Sequence, residues 1–275
     1  MTNYYGWTKM KKYQKNIGRK IIGIIPARMA ASRFPGKPLK KICKIEMLSH
    51  VYLRAKLFSN WTKLMVALCD KEIKNFCIEK KYPYTTTSIK HVRCLDRVYE
   101  ASKKIKDIKS NDIIVCVQGD EPMLKPDMIS KVIEPLIKDK KECSVLAMDI
   151  ESRGQYLNSD IVKIVHDLKG RVLYNSRSPI PYTKKFSKKI KAKRIYGIFA
   201  FTYSSLKKFS LTKPSHLENV EACDTNRICD NYSNQYVAKY KFFPSYSVDR
   251  PEDLKKVEKS IKKDSLFKRY SKICY

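Results

Sequence analysis

The stretch "IIGIIPARMAASRFPGKP", Ile21 to Pro38, decides how this 275-residue chain is read. With Lys20 it opens as "KIIGIIP", an apolar run rich in β-branched residues that reads as a buried parallel strand. It then breaks into a loop that a packed core would not need. The loop carries Arg28, Arg33 and Lys37, and Pro35 and Pro38 fix its path around Gly36. Ala27, Ala30 and Ala31 are small enough for the backbone to approach a ligand closely. Inward-facing N–H groups, with cationic side chains that fork around oxygens, are what a phosphate requires. The pattern is neither GxxxxGK[ST] nor GxGxxG, which excludes a P-loop and the usual dinucleotide fingerprint. It reads as a phosphate cradle of another kind.

Outward from this strand, the first half of the chain alternates strand and helix. Residues 46–58 place Met47, Leu48, Val51, Tyr52 and Ala55 on one helical face. "TKLMVALCD" is a second strand ending in Asp70, residues 71–81 read as helix, and "YPYTTT" as a short third strand. "CLDRVYEASKKI" sets Leu95, Val98, Tyr99 and Ile105 at helical spacing. "NDIIVCVQGDEP" is the clearest strand and stops abruptly in "GDEP". A helix over 126–138 and a strand in "CSVLAMDI" follow. This order predicts an α/β fold with a mostly parallel, Rossmann-like sheet and helices on both faces. Ligands bind beyond the carboxyl ends of such strands, so the opening loop and "GDEP" are expected to meet in one cleft.

The second half is less regular. "IVKIVHDLKGRVLYNS" reads as a hairpin around "DLKG", and "RIYGIFAFTY" as a strand. "HLENVEACDTNRICDNY" reads as a helix with Leu217, Val220, Cys223 and Ile228 on one side. "QYVAKYKF" and "YSVD" read as strands, and "RPEDLKKVEKSIKK" as a closing helix with proline at its start. No linker is visible, so residues 20–275 are expected to form one domain, with residues 1–19 a basic extension.

Two acids stand out. Asp120 ends a buried strand at the mouth of the sheet, where hard oxygen ligands suit Mg²⁺. That ion keeps several waters and takes one or two carboxylates plus phosphate oxygens. Glu121 should point the other way if the strand geometry persists. Asp249, in "YSVDRPEDL", reads alone as a helix N-cap. Beside Asp120 it becomes a candidate second carboxylate for the metal.

Composition narrows the class. The formal net charge of +31 comes mostly from lysines scattered in pairs and triplets, as in "KMKK" and "KKFSKK". Dispersed charge of this kind is a solvated face, and no arginine-rich arm, zinc finger or stacking motif argues for nucleic acid. Nine cysteines stand singly with no CxxC pair, which argues against a disulfide framework or a zinc site. They suit reduced thiols in a cytoplasmic protein. No apolar run approaches the roughly 18 residues of a membrane helix, and the N-terminal tail has no signal-peptide h-region.

Taken together, "IIPARMAASRFPGKPL", "HVYLRA", "VQGDEPM", "VKIV", "SRSPIPY" and "VDRPEDL" resemble, in order and spacing, the 3-deoxy-manno-octulosonate cytidylyltransferases, or CMP-Kdo synthetases. The resemblance runs from about Ile21 to about Val257. It implies a nucleotidyltransferase sheet with a β-rich sugar-binding and dimerisation portion at about 160–230, and a homodimer. The implied reaction joins an acidic 3-deoxy sugar to CTP with Mg²⁺, giving the CMP-sugar and pyrophosphate for lipopolysaccharide or capsule synthesis. Arg28, Lys37 and Asp120 would be the catalytic residues. Pro26, Ala27, Arg28, Lys37, Asp96 and Arg97 would bind the nucleotide. Gln118, Arg177, Glu221 and Asp224 would bind the sugar, and Asp120 and Asp249 the metal.

Three places depart from the family pattern. Arg93, Cys94 and Leu95 replace a Ser-Gly-Thr before Asp96 and Arg97. Ile195 stands where the family has a histidine near the sugar, and Thr225 where it has a glutamine. Loss of polar contacts to a substrate changes discrimination strongly, because buried polar groups must be paired. The acceptor therefore stays open between Kdo, a close variant, and a sialic-type or other acidic sugar. A catalytically silent nucleotide- or polyanion-binding protein is the rival from another class. Retention of Arg28, Lys37, Asp120 and Asp249 argues against that rival.

Overall fold

The computed structural model describes residues 18–30, 33–231 and 233–273. Most of the basic extension expected at residues 1–19 lies outside the described residues. The strands are β1 (Ile21–Pro26), β2 (Lys41–Ile42), β3 (Ile45–Glu46), β4 (Lys63–Leu68), β5 (Tyr84–Thr86), β6 (Ile113–Val117), β7 (Cys143–Asp149), β8 (Lys163–His166), β9 (Val172–Ser176), β10 (Lys193–Thr202) and β11 (Tyr236–Tyr240). The helices are α1 (Met47–Lys56), α2 (Lys71–Glu79), α3 (Cys94–Lys103), α4 (Pro126–Lys138), α5 (Arg153–Leu157), α6 (Tyr203–Leu211), α7 (His216–Glu221), α8 (Asn226–Asp230), α9 (Pro251–Ile261) and α10 (Ser265–Tyr270).

The main sheet runs β11-β7-β10-β6-β1-β4-β5. β1 pairs in parallel with β4 and β6, β4 with β5, and β7 with β11. Every residue of β1 is buried, because helices cover both faces. Ile21 and Ile25 pack with Leu48 and Val51 of α1 and with Met128 and Val132 of α4. Ile22 and Ile24 face the other way, toward Leu95 and Val98 of α3 and Leu206 of α6. A continuous apolar strand is what a sheet covered on both faces demands.

β10 runs antiparallel to both β6 and β7, which the expected βαβ order did not foresee. After β7 the chain makes no helical crossover. It leaves through α5 and the antiparallel β8–β9 hairpin and re-enters with Lys193 paired to Asp149, the last residue of β7. Entering at that end, it must run back. β8 adds to the start of β10, so the hairpin extends the same sheet.

Two further expectations are corrected. The segment 216–232 is not one helix. Ala222 takes a left-handed conformation (φ 48°) and divides it into α7 and α8, leaving Val220 exposed. "YSVD" joins no ladder. Its Val248 N–H donates to the Asp120 carbonyl (3.0 Å), and its polar groups go to the site instead of to a strand edge. No described helix is long and apolar enough to cross a membrane.

Candidate active site

The opening loop is built by its own sequence. β1 ends at Pro26, and Ala27 N–H donates to Ala67 of β4 (2.9 Å). Asp70, at the end of β4, accepts from Met29 N–H (3.0 Å) and ties the loop to that strand. Gly36 adopts φ 71°, a conformation glycine takes without strain, and starts a short 3₁₀ turn over Lys37–Leu39. "GDEP" abuts this loop. A Cβ on Gly119 would lie 2.9 Å from the Pro26 carbonyl oxygen, so the two strand ends touch through a position that only glycine fills comfortably.

Lys37 joins three segments. Its Nζ donates to Asp120 Oδ2 (3.0 Å) and to the Val248 carbonyl (2.7 Å), bringing the loop, "GDEP" and "SVD" together. Arg33 donates to Asp249 Oδ1 (2.9 Å) and also pairs with Asp160, which accepts from Arg250 Nε (3.0 Å). Burial, then the neighbouring charge of Asp120, pushes the Asp249 carboxyl above its ordinary pKa. The two acids therefore crowd one another.

Two cavities meet at these residues. A smaller one, about 240 Å³, is lined by Pro26, Ala27, Arg28, Lys37, Cys94 and Arg97. A larger one, about 650 Å³, is lined by Arg177, Arg194, Ile195, Asp224 and Thr225. Gln118, Asp120, Asp249 and Arg33 line both. Arg28 is exposed at the smaller cavity, while Arg97 is buried and donates to Thr87 Oγ1 (2.5 Å).

Asp120 Oδ1 is buried and has no hydrogen-bond partner among the described residues. No group of three or more His, Cys, Asp or Glu side chains is poised for a metal among them either. Two carboxylates, one with an orphaned oxygen, beside a phosphate-sized cavity fit Mg²⁺, which fills its remaining positions with water and phosphate oxygens.

Two expected contacts lie elsewhere. Asp96 lines neither cavity. Its carboxylate takes both Nη atoms of the buried Arg227 (3.0 Å each), and Arg227 also binds Glu218 through two 2.7 Å hydrogen bonds. Glu221 also lines neither cavity. It receives hydrogen bonds from Arg177 N–H (2.8 Å), Ser176 Oγ (2.6 Å) and Tyr174 OH (3.0 Å). Against the effect of burial, these donors hold its pKa below the ordinary value. Arg177 is pinned in turn by the carbonyls of Glu221 (2.8 Å), Ser159 (2.9 Å) and Ala222 (3.3 Å), with N–H groups to spare on Nη1 and Nη2.

Of the departures, Arg93 and Cys94 line the smaller cavity and Ile195 and Thr225 the larger, while Leu95 is buried in the core. Cys94 donates to Asp224 Oδ2 (3.2 Å) and accepts from Gln118 Nε2 (3.3 Å). Burial raises the pKa of Asp224. Glu121, expected to point away, is buried against the larger cavity, because β6 has ended at Val117 and the strand alternation no longer applies. Asp160 and Arg250 were given no role by the motifs, and Arg33, read as a cation of the opening loop, pairs with Asp160 and Asp249, since these pairings depend on segments far apart in sequence.

A family model described as cytidylyltransferase matches residues 22–242. The 3-deoxy-manno-octulosonate cytidylyltransferase of Thermodesulfovibrio yellowstonii is 33% identical over 249 residues, covering 87% of this chain and 97% of the relative. This chain belongs to the 3-deoxy-manno-octulosonate cytidylyltransferase family. Its members are nucleotidyltransferases. The Haemophilus influenzae (strain PittEE) relative is 34% identical over 255 residues, covering 88% of this chain and 98% of its own. A solved structure of a CMP:2-keto-3-deoxy-manno-octonic acid synthetase complexed with CTP superposes with a TM-score of 0.79 at 28% identity. It covers 89% of this chain and 99% of that one. This chain therefore shares the overall fold of that synthetase.

Proposed function

We propose that this enzyme transfers the cytidylyl group of CTP, with Mg²⁺, to the anomeric hydroxyl of Kdo or a close variant, releasing pyrophosphate. The CMP-sugar would serve lipopolysaccharide or capsule synthesis, and the enzyme would act as a cytoplasmic homodimer. The observation that carries the reading is the Asp120–Asp249 pair at the common boundary of the two cavities. A nucleotide in the smaller cavity and an acidic sugar in the larger one would meet there.

Each residue has a physical task. Arg28 and Lys37 hold the triphosphate, where fixed positive charge offsets the charge that develops during transfer. Gln118 lies between the cavities and orients the acceptor hydroxyl toward the α-phosphate. Arg177 offers its spare N–H groups to the sugar carboxylate. The acceptor oxygen forms a bond to the α-phosphorus, and the bond to the bridging oxygen breaks. Pyrophosphate leaves with that electron pair, and the hydroxyl proton passes to solvent. Asp120 and Asp249 would hold Mg²⁺, which neutralises phosphate charge and acidifies the attacking hydroxyl when bound.

The test is ³¹P NMR of CTP with Mg²⁺ and, in separate samples, Kdo, an amino-substituted Kdo and a sialic-type acid. A new phosphodiester signal together with pyrophosphate is expected with Kdo or its amino variant. A product with the sialic-type acid alone would move the enzyme to another acceptor class. No product with any of the three would remove the proposal.

A further inference from the structure

The larger cavity carries two buried charged side chains that the reaction above does not use. Arg194, in β10, is 7% exposed, and its Nε and Nη2 have no hydrogen-bond partner among the described residues. Its guanidinium carbon lies 5.5 Å from the ring centroid of Tyr196, whose hydroxyl is committed to Ser245 Oγ (2.9 Å). Glu121 is 3% exposed. Its Oε1 accepts from Ser247 Oγ (2.7 Å) and Gly197 N–H (3.2 Å), while Oε2 has no partner. Burial, above all, pushes the Glu121 carboxyl up to about 7, with the charge of Arg194 opposing that shift and the charge of Asp120 adding to it.

Arg227 has Nε, Nη1 and Nη2 all hydrogen-bonded, and the fully buried Arg54 leaves only Nη2 without a partner among the described residues, whereas Arg194 leaves two nitrogens idle. Idle donors on a buried guanidinium and an idle oxygen on a buried carboxylate are costly, and a ligand that pairs with them offsets that cost. Both residues line the cavity assigned above to the acceptor. The chemistry of the pair selects what completes it. A ligand carboxylate only accepts, so it answers Arg194 but not an ionised Glu121, whereas a hydroxyl suits Glu121 in either form. A hydroxyl satisfies both, accepting from the guanidinium and donating to the carboxylate.

We infer that Arg194 and Glu121 form the hydroxyl-reading end of the acceptor cavity, binding the neutral polyhydroxylated part of the sugar while Arg177 takes its acid end. The inference rests on the proposed function and assigns specificity, not chemistry, to the pair. Its position beside Ile195 gives the cavity a polar reader one residue from the place where the family's histidine is missing.

The test compares kcat/KM for Kdo and for a set of monodeoxy Kdo analogues, each lacking one hydroxyl, in the wild-type enzyme, Arg194→Gln and Glu121→Gln. Thermal unfolding and KM for CTP serve as folding controls. The wild-type enzyme should reject one analogue by roughly 10²-fold or more, because the site's polar groups are then left unpaired. Arg194→Gln should lose a similar factor with Kdo and lose little more with that analogue. If Arg194→Gln does not fold, Arg194→Lys, which keeps the charge but not the fork, is read the same way. Equal losses on Kdo and on every analogue, or no loss at all, would overturn the inference and leave the proposed function standing. Absence of turnover in the wild-type enzyme with Kdo, its amino variant and the sialic-type acid alike would overturn both.

Discussion

The Glu218–Arg227–Asp96 network makes the sharpest stability prediction. Arg227 is 2% exposed, and Glu218 is fully buried. Arg227 gives Nε and Nη2 to Glu218 at 2.7 Å, and Nη1 and Nη2 to Asp96 at 3.0 Å. Arg227→Met nearly preserves volume and leaves Glu218 charged, buried and without its principal partner. Breaking a buried pair this way costs about 3–5 kcal/mol. At roughly 2–4 °C per kcal/mol for a chain of this size, the melting temperature should fall by about 10 °C. Asp96→Asn keeps one acceptor oxygen and should cost less, about 1–3 kcal/mol. Urea unfolding followed by circular dichroism gives both numbers, and steady-state kinetics on the folded variants gives KM for CTP. If Asp96 is structural, KM for CTP stays near the wild-type value in Asp96→Asn. A marked rise in KM at unchanged stability would refute the reasoning and return Asp96 to the nucleotide. So would a cost for Arg227→Met below about 1 kcal/mol, the value of an exposed pair.

Burial holds the His50 imidazole neutral and lowers its pKa from 6.5 to about 4, with Nε2 hydrogen-bonded to the Ile42 carbonyl and Nδ1 to Tyr270 OH. Its neutral form is shared by folded and unfolded chains above pH 6.5. Between 6.5 and about 4 only the unfolded chain takes the proton, so stability should fall by about 3 kcal/mol across that window as pH drops. Urea midpoints for wild type and His50→Asn should converge across it. Gly119→Ala forces a Cβ to 2.9 Å from the Pro26 carbonyl and drives the loop and "GDEP" apart. It should cost about 1–3 kcal/mol in urea unfolding. Misplacement of the site should also lower kcat/KM for CTP by roughly 10²-fold. Lys37→Met removes the cation that joins Asp120 to the Val248 carbonyl, and kcat in a pyrophosphate-release assay should fall by roughly 10²–10³-fold.

How much of this was written in the sequence depends on how local the cause is. β1, β6 and α4 were legible because their burial is continuous or periodic, and α4 spans 126–138 as read. The shared cleft was legible because a parallel sheet collects strand ends on one side, and the structure brings Arg28, Lys37, Gln118, Asp120 and Asp249 to one cavity there. The direction of β10 was not legible, since it depends on the hairpin excursion that precedes it. Asp96 sits beside Arg97 in the chain, but its partner is 131 residues away, and no spacing rule points to it. Glu121 and Arg194 carry no local signal either. Their meaning comes from what is missing around them, which only a folded chain displays.

The central claim is tested most directly by the rate of pyrophosphate release from CTP with Mg²⁺, measured with and without Kdo, for the wild-type enzyme and Asp120→Ala. The account predicts release that requires Kdo and falls by at least roughly 10²–10³-fold when Asp120 is removed. Release that proceeds without an acceptor, or that Asp120→Ala sustains at the wild-type rate, would contradict it.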